Sequence, residues 1–227
     1  MKRRGLRRVV LSGMVGAAVL TLSGCVDLPG MGTPARLYML SPKSTFAVDL
    51  PDVKWQLVVE LPVAPSGLAT PNIALTRDPI QLQYYADARW AERAPQMVQT
   101  LIVESFENSG KIIAVGRQAI GLRSDYNLKS DLREFQAEYR EGGTAPTARV
   151  RINAKLIKQP RRQIVASQAF EAEVQAASGS MGDIVRAFDE ALGKVLRRIV
   201  VRCRHGKRSG HVSFSAALSG RKERWPV

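Results

Sequence analysis

Tyr126-Asn127-Leu128-Lys129-Ser130-Asp131-Leu132-Arg133-Glu134-Phe135-Gln136-Ala137-Glu138-Tyr139 is the stretch on which the fold turns. It alternates apolar and polar residues as a half-buried strand does, but its phase changes midway. Tyr126, Leu128 and Leu132 share one parity, whereas Phe135, Ala137 and Tyr139 share the other. A one-residue slip sends every later side chain to the opposite face, so a bulge near Arg133-Glu134 reconciles the two halves. Downstream, Glu141-Gly142-Gly143 turns the chain, and Val150, Ile152, Ala154 and Leu156 alternate with Arg149, Arg151, Asn153 and Lys155. Gln159-Pro160-Arg161-Arg162 makes a second turn, and Ile164, Ala166, Phe170, Ala172 and Val174 continue the pattern. These strands read as an antiparallel meander with one wet face, on which Glu171 and Glu173 are expected to be solvated.

Beyond the meander, Ser180 with Asp183 three residues on forms an aspartate version of the capping box. The helix it opens carries the stripe Ile184, Phe188, Leu192, Val195, Leu196, Ile199 and Cys203. Upstream, Lys111–Gly116 reads as a short strand. Before it, Ala94, Met97, Val98, Leu101, Ile102 and Ser105 mark a helix with Pro95 in its first turn and Asn108-Ser109-Gly110 as its stop. Ile80–Tyr85 reads as a short strand, Ala64–Arg77 as a meandering surface segment, Trp55–Leu61 as a strand, Lys43–Val53 as a loop, and Leu37–Leu40 as a first strand. The expected fold class is α+β: a single sandwich domain with a mainly antiparallel sheet and two helices packed on one face.

The formal charge of +14 and pI near 10.4 invite a nucleic-acid reading, and the distribution of charge argues against it. Residues 1–24 carry five Lys/Arg and no acid, and residues 202–227 carry seven against Glu223, which leaves about +3 on residues 25–201. No enzyme constellation assembles either. His205 and His211 are the only histidines and both lie in the basic C-terminal stretch, so no Ser-His-Asp, Cys-His or metal-binding arrangement falls within the domain. No catalytic residue, metal or cofactor is expected. Trp90 beside Arg89 and Arg93 reads as a packing residue rather than a partner contact, and Arg161-Arg162 as a solvated turn.

The N-terminus has the three-part grammar of an export signal. Lys2, Arg3, Arg4, Arg7 and Arg8 precede the apolar run Val9–Leu22, which is too short and too rich in small residues for a good membrane span. Leu22-Ser23-Gly24-Cys25 resembles the lipobox of bacterial lipoproteins. The resemblance implies cleavage before Cys25 and lipid, palmitate included, on its sulfur and new amino group. Two or more acyl chains hold a protein stably to a bilayer, where one holds it marginally. The expected organisation is a signal peptide over 1–24, lipidated Cys25 and a flexible spacer over 25–36, the folded domain over 37–203, and a basic, disordered tail over 204–227. With Cys25 acylated, Cys203 has no intramolecular partner and reads as a small hydrophobe.

Most of residues 22–201 resembles the ABC-type transport auxiliary lipoproteins, the paraquat-inducible protein C-like family. The likeness rests on the lipobox, Tyr38-Met39-Leu40, Ala88-Arg89-Trp90 leading into Met97–Phe106, and Tyr126-Asn127-Leu128 with Leu132-Arg133-Glu134-Phe135. The Arg149–Leu156 strand and Ala187-Phe188-Asp189-Glu190-Ala191-Leu192-Gly193 complete it. The resemblance implies a non-enzymatic envelope lipoprotein working beside an ABC transporter of phospholipid or other hydrophobic cargo. Its partners would be the membrane through Cys25, the permease/ATPase complex and a binding protein of the mammalian-cell-entry type. Two alternatives come from other classes: a structural lipoprotein of outer-membrane or lipopolysaccharide assembly without an ABC partner, and a periplasmic hydrolase with an unconventional site, against which the lack of histidines in the domain counts. By lipoprotein sorting logic, Val26 after Cys25 favours the inner leaflet of the outer membrane facing the periplasm. Asp27, one place later, keeps inner-membrane retention as the alternative.

Overall fold

The computed structural model describes residues 34–46, 50–117 and 123–205. Expectations for the signal, for Cys25 and its spacer, and for the tail from Gly206 onward lie outside these residues.

Eight strands and two helices follow one another as β1 (Arg36–Tyr38), β2 (Val53–Val59), β3 (Asn72–Asp78), β4 (Gln81–Trp90), α1 (Ala94–Asn108), β5 (Ile112–Arg117), β6 (Tyr126–Glu138), β7 (Thr147–Lys158), β8 (Gln163–Gln175) and α2 (Met181–His205). The 13-residue β6 is the trunk of the sheet. Along one edge it pairs with β7 in antiparallel register from Tyr126↔Lys158 to Glu138↔Thr147, and β7 in turn pairs antiparallel with β8. The pairing slips between Leu132 and Glu134, which is the bulge the phase change demands. Because of it, Leu132 and Phe135 are both buried despite their opposite parity.

The other edge of β6 is shared. Its first residues, Tyr126–Leu128, take β2 and its last, Gln136–Glu138, take β3, both in parallel; Val63 bridges to Asp131 between them. β5 adds to β2 in parallel, β4 to β3 in antiparallel, and β1 to β4 in parallel. The expectation of a mainly antiparallel sheet is therefore corrected: the sheet is mixed, with the antiparallel pairings concentrated in the β6–β7–β8 meander. Hairpin turns enforce antiparallel pairing there. β2 and β3 reach β6 through long connections containing α1 and β5, and such connections permit parallel pairing.

β3 is a strand where a surface segment was expected, and β4 runs on through Ala88-Arg89-Trp90. Ile73, Ala74 and Leu75 are consecutively buried, so no alternation marks the strand. The segment before it packs against β4. The Tyr84 hydroxyl donates to the Gly67 carbonyl at 3.0 Å, and a Cβ at Gly67 would stand 2.6 Å from Leu82. A larger residue there would have to displace the Leu82 side chain.

Both helices contribute to one continuous core. Met97, Val98, Leu101, Ile102 and Phe106 come from α1, and Ile184, Phe188, Leu192, Val195, Leu196 and Ile199 from α2. At its centre Trp90 meets Phe135 and Phe188 at ring-centroid distances of 5.5 and 5.3 Å, and Phe135 meets Phe188 at 5.2 Å. Fully burying such a side chain contributes about 1.5–3 kcal/mol. The loop after β1 straps the helices together. The Ser41 N–H donates to Asp189 on α2 at 2.6 Å, and the Lys43 N–H donates to the buried Ser105 hydroxyl on α1 at 2.9 Å.

Candidate docking surface

The helical stripes that could have lined a lipid groove are spent on the core: Leu101, Ile102, Leu192 and Leu196 are all buried. Trp90 is buried as well and belongs to the aromatic cluster rather than to a surface patch. Cys203 is buried, and burial pushes its thiol up to about 12, so it stays protonated and unreactive. Among the described residues no group of His, Cys, Asp or Glu is placed to hold a metal, and no helix is long and apolar enough to cross a membrane.

The wet face of the meander carries an ion-pair lattice. Arg149 on β7 reaches Glu134 at 2.7 Å and Glu138 at 3.3 Å on β6, and Glu171 at 3.2 Å and Glu173 at 3.5 Å on β8. Arg151 reaches Glu134 at 3.4 Å and Glu171 at 3.8 Å. Glu171 and Glu173 are thus cross-strand partners of one half-buried arginine, which corrects the expectation that they are simply solvated. Register places them there, since Arg149 pairs directly with Gln136 and Glu173 and Arg151 with Glu134 and Glu171. The lattice fastens three strands, and each of its four carboxylates is engaged by Arg149 or Arg151.

At the end of the sheet where β6 begins, the balance is different. A polar cleft opens there between the start of β6 and the β7–β8 turn, lined by Gln56, Arg123, Ser124, Asp125, Asn127 and Arg162. Backbone bonds brace it: the Gln159 N–H donates to the Asp125 carbonyl at 2.8 Å, and the Asp125 N–H to the Gln56 carbonyl at 3.0 Å. Side chains complete the floor. The Gln56 N–H donates to the Asp125 carboxylate at 2.8 Å, the Ser124 hydroxyl to Asn127 at 2.7 Å, and the Asn127 amide to Glu60 at 3.0 Å. Arg123, Lys158, Arg161 and Arg162 form no ion pair with any described carboxylate. Ile164 and Val165 stand exposed beside them. The sequence reading took Arg161-Arg162 as an ordinary solvated turn; the missed signal is that the β5–β6 connection brings Arg123 to the same end.

The opposite end receives the chain. β1 runs parallel to β4, β4 antiparallel to β3, and β3 parallel to β6, so β1 points toward the cleft end and its preceding residues arrive from the other side. Arg36 pairs with Ala88, at about the level of Phe135. That level is nine strand residues, roughly 30 Å, from Tyr126. Cys25, the one site residue expected from sequence, lies outside the described residues.

Comparison with known proteins places this geometry. A crystal structure of protein XCC0632 from Xanthomonas campestris is 34% identical, with a TM-score of 0.72, covering 77% of this chain and 97% of that one. A second solved structure, of an uncharacterized protein, shares the fold at 16% identity with a TM-score of 0.56, covering 74% of this chain and 97% of its own. An uncharacterized protein of Bradyrhizobium diazoefficiens is 25% identical over 182 residues, 79% of this chain. This chain spans about half the length of that curated relative, 48%. The family model described as the ABC-type transport auxiliary lipoprotein component matches residues 38–200, from β1 through the penultimate turns of α2. The chain belongs to the ABC-type transport auxiliary lipoprotein component family.

Proposed function

We propose that the protein is a lipid-anchored, non-enzymatic auxiliary component of an ABC transporter for lipids or other hydrophobic envelope molecules. It works by docking its domain against the transporter's periplasmic binding protein, of the mammalian-cell-entry type. The observation that carries the reading is the family match, which spans nearly the whole described domain; the family is one of auxiliary transport lipoproteins, not of enzymes, and has its place in the cell envelope. The consumption of both helical stripes by the core agrees with it, because neither stripe is free to line a groove for hydrophobic cargo.

Lipidation at Cys25 supplies the membrane contact. Val26 directly after it favours the inner leaflet of the outer membrane, with the domain in the periplasm. Affinity purification of the intact lipoprotein from detergent-solubilised envelopes tests the reading. Recovery of the permease, ATPase and binding protein supports it, whereas recovery of outer-membrane or lipopolysaccharide assembly proteins alone overturns it. Density-gradient separation of the two membranes decides the anchor: recovery with the inner membrane removes the outer-membrane placement and leaves an auxiliary role at the transporter's own bilayer.

A further inference from the structure

We propose that the cleft at the β6-start end is the docking site for an acidic, extended segment of the partner protein. The proposal rests on the docking function above and names the surface that performs it. Two observations converge.

The first is charge. Arg123, Lys158, Arg161 and Arg162 carry four positive charges at this end without carboxylate partners, while Asp125, the one acid lining the cleft, already accepts the Gln56 N–H. The body of the chain is otherwise nearly balanced, and the carboxylates on the wet face of the meander are already engaged by Arg149 and Arg151. Unpaired guanidinium groups are suited to carboxylates, which they bind through two parallel N–H donors.

The second is construction. The cleft floor is braced by backbone hydrogen bonds between β2, the start of β6 and the end of β7, so its cations are presented from a fixed frame. Exposed Ile164 and Val165 add apolar contact at the rim. Ion pairs at such a surface chiefly raise the association rate and fix register, and salt screens them.

The experiment uses the full-length lipoprotein in phosphatidylcholine nanodiscs, titrated at low salt with a fluorescent decaglutamate peptide. R123Q/R161Q/R162Q is expected to weaken binding by about tenfold, while the charge-matched R36Q/R140Q/R197Q, on exposed side chains elsewhere, changes it by less than about twofold. Equal losses in the two triples mean attraction to net charge alone and overturn the site. A photocrosslinking residue at position 162 or position 140, introduced in cells, separates the remaining outcomes. Capture of the transporter's binding protein from 162 and not 140 supports the proposal. Capture of it from 140 alone overturns the site and leaves the docking function standing. Lipid adducts alone at 162 overturn the site in favour of a membrane contact, and no protein adduct from either position overturns the site, leaving the docking function to the affinity purification above.

Discussion

Arg204 Nη2 lies 2.7 Å from the Lys111 carbonyl oxygen, and the same nitrogen donates to the carbonyl of Pro51. The end of α2 thus closes onto the residues that lead into β2 and β5. Arg204 is only 3% exposed, although the sequence reading placed it in the tail beyond Cys203. Replacing Arg204 with Ala removes a buried side chain and its hydrogen bonds to the Pro51 and Lys111 carbonyls, and is expected to cost about 1–3 kcal/mol in denaturant melts. A chain ending at Cys203 should show the same loss, and one ending at His205 should not.

On the apolar stripe of α2, Leu192 and Leu196 are fully buried, whereas Glu190 faces solvent and pairs with Lys194 at 2.7 Å. Either leucine changed to Ala should destabilise the domain by about 2–5 kcal/mol. Glu190→Ala should stay within roughly 0.5 kcal/mol. Equal losses at the two kinds of position would contradict the packing.

Removing Arg149 leaves Glu134, Glu138, Glu171 and Glu173 facing one another on a half-buried face. Arg149→Met is expected to cost about 1–3 kcal/mol, between the values for exposed and buried pairs. The loss should shrink in 1 M salt and be partly recovered by adding Glu134→Gln, since the two residues share one network.

Asp183 at the start of α2 has its carboxyl held down at about 2, chiefly by the hydrogen bond from Ser178, then by those from Arg186 and Ser180. A carboxylate depressed in the folded state stabilises it above the unfolded value and loses that contribution as pH falls through the folded one. The stability difference between the parent and Asp183→Asn should therefore be constant above about pH 4 and fade toward pH 2. A difference that persists unchanged at pH 2 would show that the cap acts by geometry alone.

Cys25→Ser should block lipidation and leave an unprocessed or poorly anchored precursor, read by mobility and membrane fractionation. Cleavage after Gly24 with unchanged membrane recovery would refute the lipid anchor.

How far the fold could be read varied with how each strand is covered. β6, β7 and β8 have one wet face, so alternation revealed them, and the parity change between Leu132 and Phe135 revealed the bulge. Both helices showed their stripes for the same reason. β3 was hidden because Ile73, Ala74 and Leu75 are covered on both sides, and the end of β4 because Trp90 reads equally well as a helix approach. Pairing direction was hidden too: nothing local in Leu57-Val58-Val59 says that its neighbour is Tyr126-Asn127-Leu128 in parallel register. The cleft is a product of that long-range pairing. Arg123 and Arg162 are 39 positions apart in the sequence, and only the β6–β7 pairing from Tyr126 to Lys158 brings them together.

The shared edge of β6 has a consequence for the order in which the molecule is made. The β2–β5 pair and the β3–β4–β1 group have no ladder with each other; each is fastened to the sheet only through β6. Residues 36–117 come first in the chain, so the two strand groups of the earlier half are linked only through α1 and have no strand to join them until β6 follows. The later half needs no such wait, because β6, β7, β8 and α2 are consecutive and connect by short turns, which favours rapid closure. The nascent protein is thus most exposed to misassociation just before its midpoint, and delivery of the thirteen residues of β6 ends that interval.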